Sequence, residues 1–313
     1  MTYSPIASML LGALVADAAS LGVHWIYDPK RIADIAARQG GQSAYTPVDA
    51  RNFEGVAGYF AHGARHNGML SQYGEVLRLA LRTINSADGF DVATYQGTFA
   101  AHFGPGGTYQ GYIDRPTRGA LANIAAEVKP SGIDDDQHPA IATLPAIFAR
   151  YHRTPELAGM IKAAMEVTNV NLVASAYSSV FADLLARVTA KQTLHSALEA
   201  AAAAADPLIR DEVSGGLTTG ELSSVHYGEN CGRACHLPMS GRLMFHILKH
   251  SADFTEAVER NNLTGGDSAG RAILIGAVMG AAHGVATKKG IPLDWILKLE
   301  NGAAIWAECQ ALA

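Results

Sequence analysis

Apolar residues recur at every third or fourth position through most of the chain, the period of a helix with one buried face. Ile6, Met9, Leu10, Ala13 and Leu14 form such a stripe, and Asp17 falls at its end. That register predicts a carboxylate that is buried or set in a cleft. The spacing returns in Leu70, Tyr73, Leu77, Ala80, Leu81 and Ile84, in Leu157, Ile161, Ala164, Met165 and Thr168, and in Val180, Phe181, Leu184, Leu185 and Val188. An alanine run over 200–205 stops at Asp206-Pro207, where proline cannot continue a helix. Leu243, Phe245, Ile247 and Leu248 open another helix, and Ser251-Ala252-Asp253 caps the next. Alternating strand patterns are nearly absent, so the fold class expected is all-α. Gly-rich interruptions at 104–111, 131–139, 215–220 and 264–266 are short enough to be loops between helices. One compact multi-helix domain over 1–313 is therefore expected.

Composition narrows the function classes. Hydrophobic residues make up 49% and charged residues 17% of the 313 residues, against roughly 25% charged in an ordinary soluble domain. The chain has enough apolar material for a large core. Twenty-four Lys and Arg against 29 Asp and Glu give a net charge of -5, which lacks the basic footprint of a nucleic-acid binder. The most apolar windows, 9–23 and 272–286, fall short of the ~20 residues that cross a bilayer, so no membrane partner is expected. The opening Met1-Thr2-Tyr3-Ser4-Pro5 has no basic leader. Three cysteines, Cys231, Cys235 and Cys309, are too few for a disulfide framework and favour a cytoplasmic location.

Several constellations carry possible chemistry. Gly265-Gly266-Asp267-Ser268 precedes a small-residue helix, where Asp267 can cap the helix or present a carboxylate to a cation or a hydroxyl-rich ligand. The segment 12–28 gathers Asp17, His24, Trp25 and Tyr27 in an otherwise core-like stretch; His24 reads equally as a satisfied structural histidine. Ser71 and Glu75 lie one turn apart at a helix start. Gly106-Gly107-Thr108-Tyr109-Gln110-Gly111-Tyr112-Ile113-Asp114, followed by Asp134-Asp135-Asp136, offers close backbone approach, stacking rings and carboxylates, or else a solvated turn. His226, Cys231, Cys235 and His236 lack a second Cys pair, so free cysteines are expected rather than zinc.

In this order the segments resemble the ADP-ribosylglycohydrolase superfamily, the fold of dinitrogenase reductase-activating glycohydrolase, and more closely its jellyfish J-type crystallin-like branch. The best match is Gly-Gly-Asp-Ser-Ala-Gly-Arg-Ala-Ile from Gly265, with Ile-Gly-Ala and His-Gly downstream. The resemblance implies a compact orthogonal helix bundle, a small ribosyl or ADP-ribosyl substrate in a cleft, and two magnesium ions near the ribose. Here Gln72, Tyr73 and Ala269 stand where such a family places metal ligands, leaving Asp267 alone. One carboxylate cannot hold two hard divalent ions, so no cofactor is expected, magnesium remaining only what the resemblance implies. His24 falls where some members place the catalytic glutamate, and Asp136-Gln137-His138 replaces a phosphate-cradling Gly-Asn-Gly loop.

The function expected is hydrolysis of an N- or O-ribosyl bond at a degenerate magnesium site, with metal independence open. The alternative is a catalytically inactive relative with a ligand-binding or structural, crystallin-like role. In the hydrolase reading Asp267, His24 and Glu75 are the catalytic candidates. Asp17, Ser71, Tyr73, Gly107, Tyr109, Tyr112, Asp135 and Ser268 are the substrate-binding candidates. The sequence leaves the oligomeric state open.

Overall fold

The computed structural model describes residues 3–313. Met1 and Thr2, part of the opening read above as lacking a leader, lie outside the described residues. The helices run in the order α1 (Pro5–Ser20), α2 (Pro29–Arg38), α3 (Gln72–Ala87), α4 (Val92–Phe103), α5 (Arg115–Ala125), α6 (Pro139–Ala142), α7 (Leu144–Tyr151), α8 (Leu157–Met165) and α9 (Leu172–Thr189). They continue with α10 (Leu194–Ala204), α11 (Arg210–Leu217), α12 (Ser224–Cys231), α13 (Leu237–Lys249), α14 (Phe254–Thr264), α15 (Ser268–His283), α16 (Leu293–Lys298) and α17 (Gly302–Leu312). Strand pairing among the described residues is limited to isolated bridges, as the missing alternation predicts.

Local chemistry explains most of the starts. Asp28, Asp114, Asn171, Asp253 and Asp267 each cap a helix by accepting a backbone N–H from its first turn. Prolines open α1, α2 and α5, where the missing N–H costs nothing.

The central pair is α1 with α15, buried from Ile6 to Ser20 and from Ser268 to Ala281. A helix with no polar face must lie inside. Their antiparallel approach needs glycine, because a Cβ on Gly12 would sit 2.3 Å from the Gly276 carbonyl oxygen, and one on Gly280 would sit 2.2 Å from that of Ser8. Two stretches reach the length and apolarity of a membrane span, Pro5–Val23 and Leu172–Thr189, and the first is wholly covered by the rest of the chain.

Two sequence expectations shift. Gly215 and Gly216 belong to α11 rather than to a loop, since Gly216 lets that helix close on α13, where a Cβ would meet the Arg242 carbonyl oxygen at 2.3 Å. α13 begins at Leu237, six residues before the apolar run at Leu243; the small residue Gly241 inside it makes room for the Tyr177 ring.

The connection from α2 to α3 is long and carries one short turn, Ala50–Phe53. It is held by side chains far away in sequence. Glu259 accepts the N–H groups of Ser43 and Ala44, the Tyr45 hydroxyl donates to the Trp295 carbonyl, and Gly68 accepts the Glu300 N–H. Long loops fixed in this way commonly build sites.

Candidate active site

The start of α15 is set by a tight two-glycine turn. Gly265 and Gly266 have φ of 79° and 69°, the left-handed region that suits glycine. A Cβ on either would strike the Ile26 or the Arg233 carbonyl oxygen. The fully buried Arg271 braces the turn, donating to the carbonyls of Gly265 and Arg233 and to the Asn261 side chain.

Asp267 is thereby presented at the N-terminus of α15 with both oxygens occupied. Its Oδ1 accepts the Gly270 N–H at 2.9 Å and His24 Nε2 at 2.8 Å; its Oδ2 accepts the Tyr73 hydroxyl at 3.0 Å and lies 3.1 Å from His138 Nδ1. Burial alone would raise the carboxyl's pKa, but the imidazoles of His138 and His24 hold it well below the usual carboxylate range. Burial and then the Asp267 charge push the Tyr73 hydroxyl well above its ordinary value, so it stays a donor.

The network continues on both sides. His138 Nε2 pairs with the Ser240 hydroxyl at 2.8 Å. His24 Nδ1 lies 2.7 Å from His62 Nε2, and the two rings stack at 4.9 Å. A carboxylate only accepts, so His24 Nε2 carries the hydrogen, and in a neutral ring its Nδ1 then accepts from His62 Nε2. His62 Nδ1 is left as a buried lone pair with no partner among the described residues. Burial above all puts the His62 pKa well below its ordinary value, so this ring is uncharged at neutral pH.

Around this line the other candidates separate into distinct groups. Asp17 lies under the start of α3, where its Oδ2 accepts the Ser71 N–H at 2.7 Å and its Oδ1 the Ser71 hydroxyl at 2.5 Å. Burial pushes it up to about 7. Glu75 is engaged by Arg65 at 3.0 Å and lies 3.3 Å from His102. Burial opposes its ionisation, but the His102 ring and the Arg65 guanidinium bring it below the usual carboxylate range. Tyr109 is buried beneath the Arg65 guanidinium at 4.3 Å and donates to the Tyr112 carbonyl. Gly107 serves the loop, where a Cβ would meet the His102 carbonyl oxygen at 2.4 Å.

Asp135 pairs with Arg115 at 2.5 Å and accepts the Gln137 N–H, while Asp136 pairs with His236 at 2.5 Å. Ser268 turns its hydroxyl to the Ser20 carbonyl at 3.4 Å. The structure thus joins His24, Tyr73 and Asp267, and keeps Asp17 with Ser71, and Glu75 with Arg65, apart from them.

The positions expected to have lost metal ligands carry other duties. Gln72 accepts the Asp114 N–H at 2.7 Å and donates to the Thr117 hydroxyl at 2.7 Å. Ala269 is a buried methyl. Asp114 keeps one oxygen, Oδ2, without a partner, and burial raises its pKa. Among the described residues no group of three or more His, Cys, Asp or Glu is placed to hold a metal ion. Cys231 and Cys235 are free thiols.

Two members of the central network escaped the sequence reading. His62 sits in the aperiodic connection before α3, where no spacing marks it. His138 enters the sequence reading only as the end of a replaced loop; its position just before Pro139 at the start of α6 is the available signal.

A model of the ADP-ribosylglycohydrolase family matches residues 2–313. The chain belongs to the ADP-ribosylglycohydrolase family. Among relatives, Crystallin J1A of Tripedalia cystophora is 26% identical over 97% of this chain and 94% of its own length. Crystallin J1B of the same organism is 25% identical over 95% and 92%. A solved structure titled ADP-ribosylglycohydrolase-related protein complex superposes with a TM-score of 0.71 at 17% identity, covering 99% of this chain and 98% of that one. It establishes the fold. Within that fold, this family member surrounds Asp267 with histidine and tyrosine.

Proposed function

We propose that the protein hydrolyses an N- or O-ribosyl glycosidic bond and does so without magnesium. The observation that carries this reading is the line Asp267–His24–His62 ending in an unpartnered lone pair. A carboxylate that fixes a histidine, which in turn fixes a second histidine, leaves a base in one defined tautomer. His62 Nδ1 takes the proton of a water attacking C1′, and the charge spreads through His24 toward Asp267. An oxocarbenium-like transition state gains from that buried negative charge.

Two magnesium ions do not fit the donor set. Hard cations need several free oxygens, whereas both oxygens of Asp267 already accept protein donors and Gln72 and Tyr73 point their polar atoms elsewhere or at Asp267 itself. Asp114 Oδ2 and the Arg115–Asp135 pair remain as polar groups for a sugar or phosphate.

A second reading, a non-catalytic ligand-binding or structural protein, is favoured by the full occupancy of Asp267 and by the two crystallin relatives. The test is a hydrolysis assay on ribosyl and ADP-ribosyl substrates with magnesium or EDTA. Activity that persists in EDTA and falls by about 10²–10⁴ in His62→Gln is the expected result. Activity that vanishes in EDTA overturns metal independence. No turnover of any substrate gives the second reading.

A further inference from the structure

Next to the buried histidine line stands an aromatic group of which only Tyr112 is a substrate-binding candidate of the sequence and to which the hydrolytic step assigns no role. Trp25 follows His24 directly, and their rings lie 4.5 Å apart. From Trp25 the rings of Tyr112 and Tyr59 lie at 5.0 Å and 5.9 Å, and those two tyrosines are 5.8 Å from each other. The three come from separate parts of the chain: the turn after α1, the long connection before α3, and the loop before α5.

Aromatic clusters normally leave water, but this one stays in it. Tyr59 is 58% exposed, and Trp25 and Tyr112 are half-buried. The Arg118 guanidinium lies 5.7 Å from the Tyr112 ring centre. Trp25 also holds a φ of 68°, a left-handed conformation that is an outlier for so bulky a residue. Surrounding structure enforces it: the Trp25 N–H donates to the Gly266 carbonyl at 2.9 Å, and its carbonyl accepts the Tyr59 N–H at 3.1 Å. Gly58 allows this approach, since a Cβ there would lie 2.7 Å from the Trp25 carbonyl oxygen. Backbone strain that sets a half-exposed indole beside the Gly-Gly-Asp turn does not serve the core, and strain of this kind concentrates at ligand sites.

We propose that Trp25, Tyr59 and Tyr112 form the aglycone platform of the site, and that the substrate class is a ribosyl compound whose leaving group is a planar heteroaromatic ring. This rests on the ribosyl reading above. Flat rings stack on exposed aromatic faces irrespective of their exact substituents. In the reaction the C1′–N bond breaks with its electron pair passing to the ring nitrogen, which takes a proton. Water forms the new C1′–O bond and gives up a proton, so the products are ribose and the free heterocycle.

Calorimetry on the full chain tests the platform with two probes that share the sugar, adenosine and methyl β-ribofuranoside. Adenosine is expected to bind at least about tenfold more tightly than the methyl riboside, as one stacked ring provides. In Tyr59→Ala that ratio falls toward one, and in Tyr59→Phe, which keeps the ring, it is retained. Tyr59 is exposed, so its removal leaves the fold intact, which circular dichroism verifies. Equal binding of the two probes, or a ratio unmoved by Tyr59→Ala, overturns the platform and leaves the ribosyl reading standing. Binding of neither probe overturns both.

Discussion

Asp17 and Asp267 are both completely buried, on and just ahead of the two helices that form the centre of the fold, yet their pKa values are pushed in opposite directions. Asp17 has one residue donating to it, the hydroxyl and N–H of Ser71, and burial pushes its pKa up to about 7. Asp267 has donors from four residues, two of them imidazoles, and is held well below the usual carboxylate range. Burial therefore does not decide ionisation here. The number and kind of the donors that the neighbouring elements bring do. That separates the carboxyl that braces the start of α3 from the one that the proposed mechanism sets against a developing cation.

The sharpest break of this contrast is Asp267→Ala. It strands His24, His138, the Tyr73 hydroxyl and the Gly270 N–H inside the protein, and it removes the cap of α15. Loss of one partner from a buried ionic network costs about 3–5 kcal/mol. Urea denaturation at pH 7 should show a drop of that size, and a loss under about 1 kcal/mol would mean the four donors are not held by this carboxylate.

The two aspartates also differ in how much the sequence revealed of them. The helical period from Ile6 put Asp17 inside, and Gly265-Gly266 ahead of an apolar run put Asp267 at a helix start, because both signals are local. The partners are not local. His62 reaches His24 only because Glu259 and Trp295 pin the connection before α3, and Glu75 is claimed by Arg65 from the same connection. Periodicity fixes which face of a helix is buried, but it does not fix which distant donor arrives there. The helices and one half of the central network were legible for that reason, and the ionisation states were not.

A smaller effect separates the pair by pH. A carboxyl with a raised pKa in the folded chain makes the folded state bind more protons between its unfolded value near 4 and its folded value near 7, so its contribution to stability falls as pH rises through that window. Asp267 has the opposite sign: its contribution is present above the unfolded value and is lost as pH falls through its low folded value. The difference in unfolding free energy between wild type and Asp17→Asn isolates Asp17. The substituted amide is neutral throughout, so the variant should gain on the wild type by on the order of 2–4 kcal/mol between pH 4 and pH 8. A difference that is flat across that range would show that Asp17 titrates alike folded and unfolded.

The smallest expected effect is that of the single serine. Ser71 accepts the Tyr73 N–H at 3.1 Å as the cap of α3 and donates its hydroxyl to Asp17. Ser71→Ala removes both, at a cost of about 1–2 kcal/mol. The two roles differ in pH dependence. A cap is lost equally at any pH, whereas a hydroxyl donated to a carboxylate is worth more once Asp17 is ionised, so the loss at pH 8 should exceed that at pH 5 and the midpoint of the Asp17 titration should move above about 7. Ser268→Ala is the matched control beside Asp267, because its buried hydroxyl makes only the 3.4 Å contact with the Ser20 carbonyl, and its removal should cost less than about 1 kcal/mol. Equal losses for Ser71→Ala at both pH values would reduce Ser71 to a helix cap and leave the state of Asp17 to burial alone.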